Sequence, residues 1–262
     1  MAAAGRGTGP TAGGGGGGVV AAASRVTGPG TRRADGRGAC GAGGLAAGGA
    51  VADGAGAWQA YRAGKYEAAF KELKALAEGG DADSQYYLGT LYSDGKVVKR
   101  DYRQAAEWYG KAASQGHGDA EFTLGFLYLA GAGEGTGAVF ADLQLATKWL
   151  KMAAAKGHTA AQSALATVYG EGYGIARDIA QAQRWAEPAA ARGDAAAQYE
   201  LGRLKGQTLT VESWGEAYTW FRLAEKKGYP GAAENRAVVG KQIDAQTLAA
   251  AERRTDAFVP VK

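Results

Sequence analysis

The chain predicts an all-α fold, a solenoid of stacked antiparallel helix pairs. One observation is a spaced pattern that recurs four times. Its clearest copy is Leu88-Gly89, Tyr92, Gly95, Asp101, Trp108, Ala112-Ala113 and Gly116. The second is Leu124-Gly125, Tyr128, Gly131, Asp142, Trp149, Ala153-Ala154 and Gly157; the third is Leu165-Ala166, Tyr169, Gly172, Asp178, Trp185, Ala189-Ala190 and Gly193. The fourth keeps Leu201-Gly202, Trp220, Ala224 and Gly228, with its middle worn down. Another observation is the period: the leucines step by 36, 41 and 36 residues, the longer step holding an insertion between Gly131 and Asp142. A unit of this size cannot bury its apolar face alone and must stack on its neighbours. Finally, glycines divide each copy into two segments whose apolar residues fall at helical spacing.

The array opens with a degenerate leading unit, residues 55–80. Ala57, Trp58 and Tyr61 read as a short helix stopped by Gly64, and a helix over 66–78 follows, with Ala69, Phe70, Leu73 and Leu76 on one face. Four repeats come next, over 81–116, 117–157, 158–193 and 194–228, each a helix A, a loop and a helix B; residues 229–262 close the array. Helix A of the first repeat is predicted over 82–93. Gly89 inside it costs about 1 kcal/mol of helix propensity relative to Ala. Gly125, Ala166 and Gly202 share its slot, so the small side chain predicts a close approach by a neighbouring helix. Gly95, Gly131 and Gly172 are expected to end helix A in left-handed caps. Asp101, Asp142 and Asp178 stand where a carboxylate caps helix B, with Ser213 in that place in the fourth repeat. Helix B is expected to bury Ala105, Trp108 and Ala112 with their equivalents. Pro188 should kink or restart the third helix B near Trp185. The Gly-rich insertion after Gly131 predicts a long, mobile loop on one face of the array. Asp244 is expected to cap a last helix ending near Thr255.

Leu-Gly-x-x-Tyr-x-x-Gly, then Asp, then Ala-x-x-Trp-Tyr-x-Lys-Ala-Ala-x-x-Gly resembles the Sel-like repeat (SLR) family, relatives of the tetratricopeptide repeats, over roughly residues 80 to 228. The resemblance implies a right-handed superhelix with a concave groove, and a non-enzymatic scaffold or adaptor that binds a protein or peptide. It supplies no cofactor and no named partner. If ligands bind as in the tetratricopeptide relatives, helix A residues flanking the Leu-Gly core line the groove. These are Asp83, Tyr86, Thr90 and Ser93, then Asp119, Phe122 and Phe126, then Ser163 and Thr167, then Tyr199 and Arg203. Phe122, Phe126 and Tyr199, if exposed beside Arg203, would suit a peptide with apolar side chains and an acidic group; the alternative is that these aromatics are core between repeats. Some family members carry a Cys pair in each repeat. This chain does not, so the β-lactam binding attributed to that subgroup is not carried over. Others act in polysaccharide export, which gives the alternative reading: a periplasmic or cell-envelope protein that binds polysaccharide or cell-wall components.

Residues 1–54 contain no aromatic residue and include an unbroken glycine run at 13–18. Such a segment cannot offset its own ordering entropy and reads as disordered. It carries five Arg against Asp35 and Asp53, hence +3 of the net +4, and leaves the repeats near +1. Lys and Arg alternate with Asp and Glu along the helices, as on an ordinary solvated surface, so nucleic acid is not an expected partner. The single cysteine, Cys40, permits no disulfide within the chain and no Cys-based zinc site. No apolar run reaches the ~18 residues of a membrane span.

The remaining candidates for chemistry are sparse. His117 and His158 each follow a repeat-ending glycine and read as polar loop residues without a carboxylate at ligand spacing. Ser93 and Lys96 match Ser-x-x-Lys, but the companion motifs of serine acyltransferases are absent. Gly133, Gly135 and Ala138 fit a loose dinucleotide fingerprint that follows a helix and not a strand. No catalytic residue, metal ligand or cofactor is expected. Compartment turns on whether Ala50, Val51 and Ala52 end a cleaved signal peptide, giving a periplasmic protein, or belong to a plain tail of a cytoplasmic one. N-terminal sequencing of protein from its native cell separates the two: a chain beginning at Asp53 means cleavage, and one retaining earlier residues means none.

Overall fold

The computed structural model describes residues 54–261. The segment proposed as a tail or signal therefore lies almost wholly outside the described residues. Among the described residues twelve α-helices follow one another: α1 Gly54–Arg62, α2 Tyr66–Glu78, α3 Ala82–Asp94, α4 Tyr102–Ser114, α5 Gly118–Ala130, α6 Leu143–Ala155, α7 Thr159–Glu171, α8 Ile179–Ala191, α9 Ala195–Gly206, α10 Val211–Lys226, α11 Ala232–Gly240 and α12 Ala245–Asp256. From α1 to α11 each packs on the next, and α12 returns onto α10, so the fold is an all-α solenoid. The core is a chain of clusters strung along the stack, each joining residues from successive helices.

Capping explains where helices begin. Asp101, Asp142 and Asp178 accept backbone N–H bonds in the first turns of α4, α6 and α8, as the spacing predicts. In the fourth repeat the cap is Thr210, not Ser213. Ser213 lies three residues on and completes a reciprocal capping box, so α10 begins earlier and runs longer than its counterparts. Gly95 and Gly172 end α3 and α7 in the left-handed conformation. Gly131 departs from that expectation: its φ of 66° is paired with a ψ of 162°, because the chain there turns out into the insertion.

That insertion is not an open loop. Ala132 and Val139 exchange two backbone hydrogen bonds of 2.8 Å, a 3₁₀ turn spans Gly135–Gly137, and Ala138 is buried. Gly133 lies against the Tyr102 ring and Gly137 against the Asp101 side chain, which seats the insertion on α4. Phe140 remains 80% exposed. Pro188 does not break its helix either. α8 continues from Ile179 to Ala191 through it, held by the fully buried Ala182, Ala186, Ala189 and Ala190, so packing overrides one lost backbone bond.

Within each repeat, helix A touches helix B at the predicted small residue. A Cβ added to Gly89 would lie 2.7 Å from Tyr109 Cε1; at Gly125, 2.9 Å from Leu150 Cγ; at Gly202, 2.7 Å from Phe221 Cδ1. In the third repeat Ala166 shares a buried cluster with Ala186. The residue facing the small one is thus the one after each tryptophan. It is large where helix A has Gly and small where helix A has Ala. Trp108, Trp149, Trp185 and Trp220, expected in the core, are only half-buried and pack on cluster edges. The closing helix α12 is capped by Asp244, whose carboxyl is held below its usual range by the Thr247 backbone N–H. It buries Ala251 and Thr255 and pairs Glu252 with Arg222 and Asp256 with Lys226 of α10.

Gly89→Leu should overpack against Tyr109 and cost ~3 kcal/mol or more, seen as a lower thermal midpoint. Gly118→Ala, where an added Cβ meets nothing within 4 Å, should leave the midpoint unchanged or raise it. Equal midpoints for Gly89→Leu and the parent chain would remove close approach as the reason for the glycine.

Candidate functional site

The helix A residues read as a groove lining occupy fixed offsets from the residue that caps each helix A. The caps are Asp81, His117, His158 and Asp194. Asp83 and Asp119 stand two residues after their cap; Tyr86, Phe122, Ser163 and Tyr199 five; Thr90, Phe126, Thr167 and Arg203 nine; and Ser93 twelve. Steps of three or four place such residues on one helix face.

The structure puts the five-residue row at the joint between repeats. Tyr86 stacks on His117 with ring centroids 4.8 Å apart, and Phe122 on His158 at 4.5 Å. The Ser163 hydroxyl donates to the Asp194 carboxylate at 2.7 Å, and the Asn235 amide donates to the Tyr199 oxygen at 2.8 Å. Each histidine is an N-cap and not a loose loop residue: His117 Nδ1 accepts the Ala120 N–H at 3.1 Å, and His158 Nδ1 the Ala161 N–H at 3.2 Å. A ring accepting at Nδ1 carries its proton at Nε2, and that nitrogen meets Asp83 in one repeat (3.1 Å) and Asp119 in the next (3.2 Å). Carboxylates do accompany these histidines, supplied by the preceding repeat, which sequence spacing alone hides.

Phe122, Phe126 and Tyr199 are half-buried, not exposed. Burial pushes the Tyr86 phenol well above its ordinary value. Thr90, Ser93 and the buried Tyr109 form a hydroxyl network at 3.3 Å beneath helix A. Arg203 is already bound to Glu200 and Glu171, and the Glu200 hydrogen bond raises its pKa further. It has little left to offer an acidic ligand group, which corrects that part of the sequence reading.

Charge is mixed along most helices, as expected, but is segregated in the A helices of three repeats. In the first three repeats, α3, α5 and α7 carry Asp83, Asp94, Asp119, Glu121 and Glu171 with no Lys or Arg. The B helices α4, α6 and α8 carry Arg103, Lys111, Lys148, Lys151 and Arg184 against Glu107 and Glu187. Among the described residues no group of three His, Cys, Asp or Glu side chains could hold a metal ion. A shallow hollow of about 300 Å³ lies between α4 and the insertion, lined by Arg103, Glu107, Tyr128, Val139 and Phe140.

One recurring element escaped the sequence reading. The residue before each repeat-ending glycine reaches back to the glycine that ends the previous unit. Gln115 donates to the Gly80 carbonyl at 3.0 Å, Lys156 to Gly116 at 2.8 Å and Arg192 to Gly157 at 3.3 Å, and Lys227 bonds Gly193. The first three also bind a side chain of their own helix A: Gln85, Glu121 and Gln162. Gln85, Gln162 and Gln198 in turn donate to the carbonyls of Ala77, Ala154 and Ala190. Glu121 has no side-chain N–H to give, is 0% exposed and, among the described residues, leaves Oε2 without a partner. The visible signal was a polar residue before every terminal glycine.

The Sel1 repeat model matches residues 82–117, 118–158, 159–194 and 195–229, each span starting one residue after a helix A cap. A solved Sel1 repeat protein from Oxalobacter formigenes is 26% identical, with a TM-score of 0.63 over 78% of this chain and 81% of that one. A protective antigen present in uropathogenic Escherichia coli strains, displaying an SLR fold, is also 26% identical, with a TM-score of 0.50 over 79% of this chain. The match spans about half of the antigen's length, 53%. No curated protein matches.

Lys156→Met would leave the Glu121 carboxylate buried and unpaired and should cost ~3 kcal/mol, read as a lower urea midpoint. The double change Lys156→Gln with Glu121→Gln copies the Gln115–Gln85 pair of the first repeat and should restore the midpoint. Failure of the double variant to recover stability would show that the clamp does not work pairwise.

Proposed function

Since the chain belongs to the Sel1 repeat family, we propose that it is a non-enzymatic adaptor that binds a basic segment of a partner protein along the A-helix face of its first three repeats. The family is generally a non-enzymatic scaffold, and its repeats typically mediate protein–protein interaction. The observation that carries the choice of ligand is the charge segregation: α3, α5 and α7 supply Asp83, Asp94, Asp119 and Glu171 and no Lys or Arg of their own, the neighbouring cations being Lys96 at Asp94 and Arg203 at Glu171. Such a field favours a cationic partner and speeds its encounter. Phe126, half-buried between the acidic ends of the face, gives an apolar contact for the stem of a Lys or Arg or for a neighbouring side chain.

The polysaccharide reading gains nothing from the same residues, because the rings of Tyr86 and Phe122 already stack on His117 and His158.

A peptide library selected on the intact chain should enrich Lys- and Arg-bearing sequences. Raising salt from about 50 to 500 mM should weaken the binding of selected peptides, because screening acts on exposed charge pairs. Phe126→Ala with Asp94→Asn should lower affinity about tenfold or more, equivalent to ~1.4 kcal/mol, with helicity unchanged. Enrichment of acidic peptides, or binding indifferent to salt and to both substitutions, would overturn the assignment.

A further inference from the structure

The segment after α12 does not leave the molecule. Phe258 meets Trp220 edge-on, with ring centroids 6.1 Å apart at 77°. Pro260 lies against Gly193, its ring carbons 3.4 and 3.5 Å from where a Cβ would stand. The Val261 N–H donates to the Ala191 carbonyl at 2.9 Å. Val259 and Val261 point outward and are exposed. The tail thus lies extended across the C-terminal end of one B helix and onto the tryptophan of the next.

Its hydrogen-bond partner is chosen by the repeat. At the end of α8 the turn that follows serves the carbonyls of Pro188, Ala189 and Ala190, through the N–H groups of Arg192, Asp194 and Gly193. Ala191 is left over, and among the described residues the tail alone reaches it with a backbone N–H. The ends of α4 and α6 are built alike. The turn after α4 serves Ala112 and Ala113, and that after α6 serves Ala153 and Ala154. The Ser114 and Ala155 carbonyls, in the place of Ala191, receive no such bond among the described residues. Beside Ala155, a Cβ on Gly157 would meet nothing within 4 Å among the described residues, which leave open there the space that Pro260 fills at Gly193. Trp185, in the place of Trp220, is half-buried.

We propose that the C-terminal ends of the B helices form a row of seats for extended peptide. The chain's own tail fills the one at Ala191. The seat at Ala155, Gly157 and Trp185 takes a partner segment of the same chemistry: an aromatic residue, any residue, a proline, then a residue with a free N–H. The occupant follows from what occupies the neighbouring, equivalent seat. Proline suits it twice, by stacking on bare glycine backbone and by holding the segment extended before binding. This row is separate from the acidic A-helix face, and its apolar contacts make binding insensitive to salt.

The test is a titration of the intact, isotope-labelled chain with a synthetic peptide of residues 255–261, followed by amide and indole chemical shifts. Saturable shifts at 155–157 and at the Trp185 indole are expected. A peptide with the phenylalanine replaced by alanine should bind at least tenfold more weakly, and so should one methylated at the last backbone nitrogen. Neither comparison depends on a protein variant folding. Trp185→Phe should likewise weaken binding while leaving the helical signal intact. Shifts confined to Gly193 and the chain's own 258–261 would mean simple exchange of the tail and overturn the vacant seat. Absence of saturation, shifts on the A helices, or equal binding of the altered peptides would overturn it too. Failure here leaves the salt-dependent binding of basic peptides standing, and the reverse also holds.

Discussion

The distance between helix A and helix B of one repeat is the constraint on which the rest of the structure depends. It is set where a residue with little or no side chain meets the residue after a tryptophan. Gly89 admits Tyr109, Gly125 admits Leu150 and Gly202 admits Phe221, whereas Ala166 is matched by Ala186. The volume at the contact is shared out differently in each repeat: a ring or a leucine faces Gly, and Ala faces Ala. That closeness brings the capping residue of one helix A within reach of the previous helix A, and the end of helix B within reach of the glycine that closed the unit before. Close packing of this kind leaves no slack for an added methyl group.

On this frame the polar side chains act mainly as joinery. Residues that a motif scan would single out for chemistry turn out to fasten one repeat to another. His117 and His158 cap their own helices, stack on the previous aromatic ring and meet the previous aspartate. Ser163 holds Asp194, and Arg203 bridges Glu200 and Glu171. Exposed aspartates remain at the outer edge of that joinery, and their shared sign gives the A-helix face its character.

Much of the fold was legible because its signals are local and repeated. Glycine punctuation, aspartate caps and a fixed period each report on a few neighbouring residues, and four copies average out the exceptions. The features that were not legible connect residues about one period apart. A tryptophan is the most conspicuous letter of helix B, but a large indole fits better at the edge of a cluster than at its centre, so the residue beside it does the packing. Pro188 shows the same override by tertiary packing in the other direction. At the candidate site, helical spacing placed these residues at shared offsets along each helix A. It could not reveal that Tyr86 and Phe122 spend their rings on the next repeat, because the histidines they meet lie 31 and 36 residues further on, at 117 and 158. The charge segregation was present in the sequence. It was missed because Lys and Arg were counted along the chain, where A and B helices alternate, and not by helix type.

The clamp and the joint differ in what they ask of the order of repeats. Lys156 and Glu121 belong to the same repeat, so the buried carboxylate travels with its counter-charge whenever that repeat is lost, copied or moved. The joints are less forgiving. Excising residues 117–157 would bring Asp83 and Tyr86 against His158, a joint of the kind already present. Excising 158–193 would instead bring Asp119 and Phe122 against Asp194, setting two carboxylates together and leaving an aromatic ring without its imidazole. The second repeat, which begins with a histidine cap and is followed by one, is therefore a removable part, and the third is an adaptor that ends one kind of joint and begins another. Gene rearrangement could drop or copy residues 117–157 without changing the kind of joint, and could do the same to a neighbouring repeat only with compensating change.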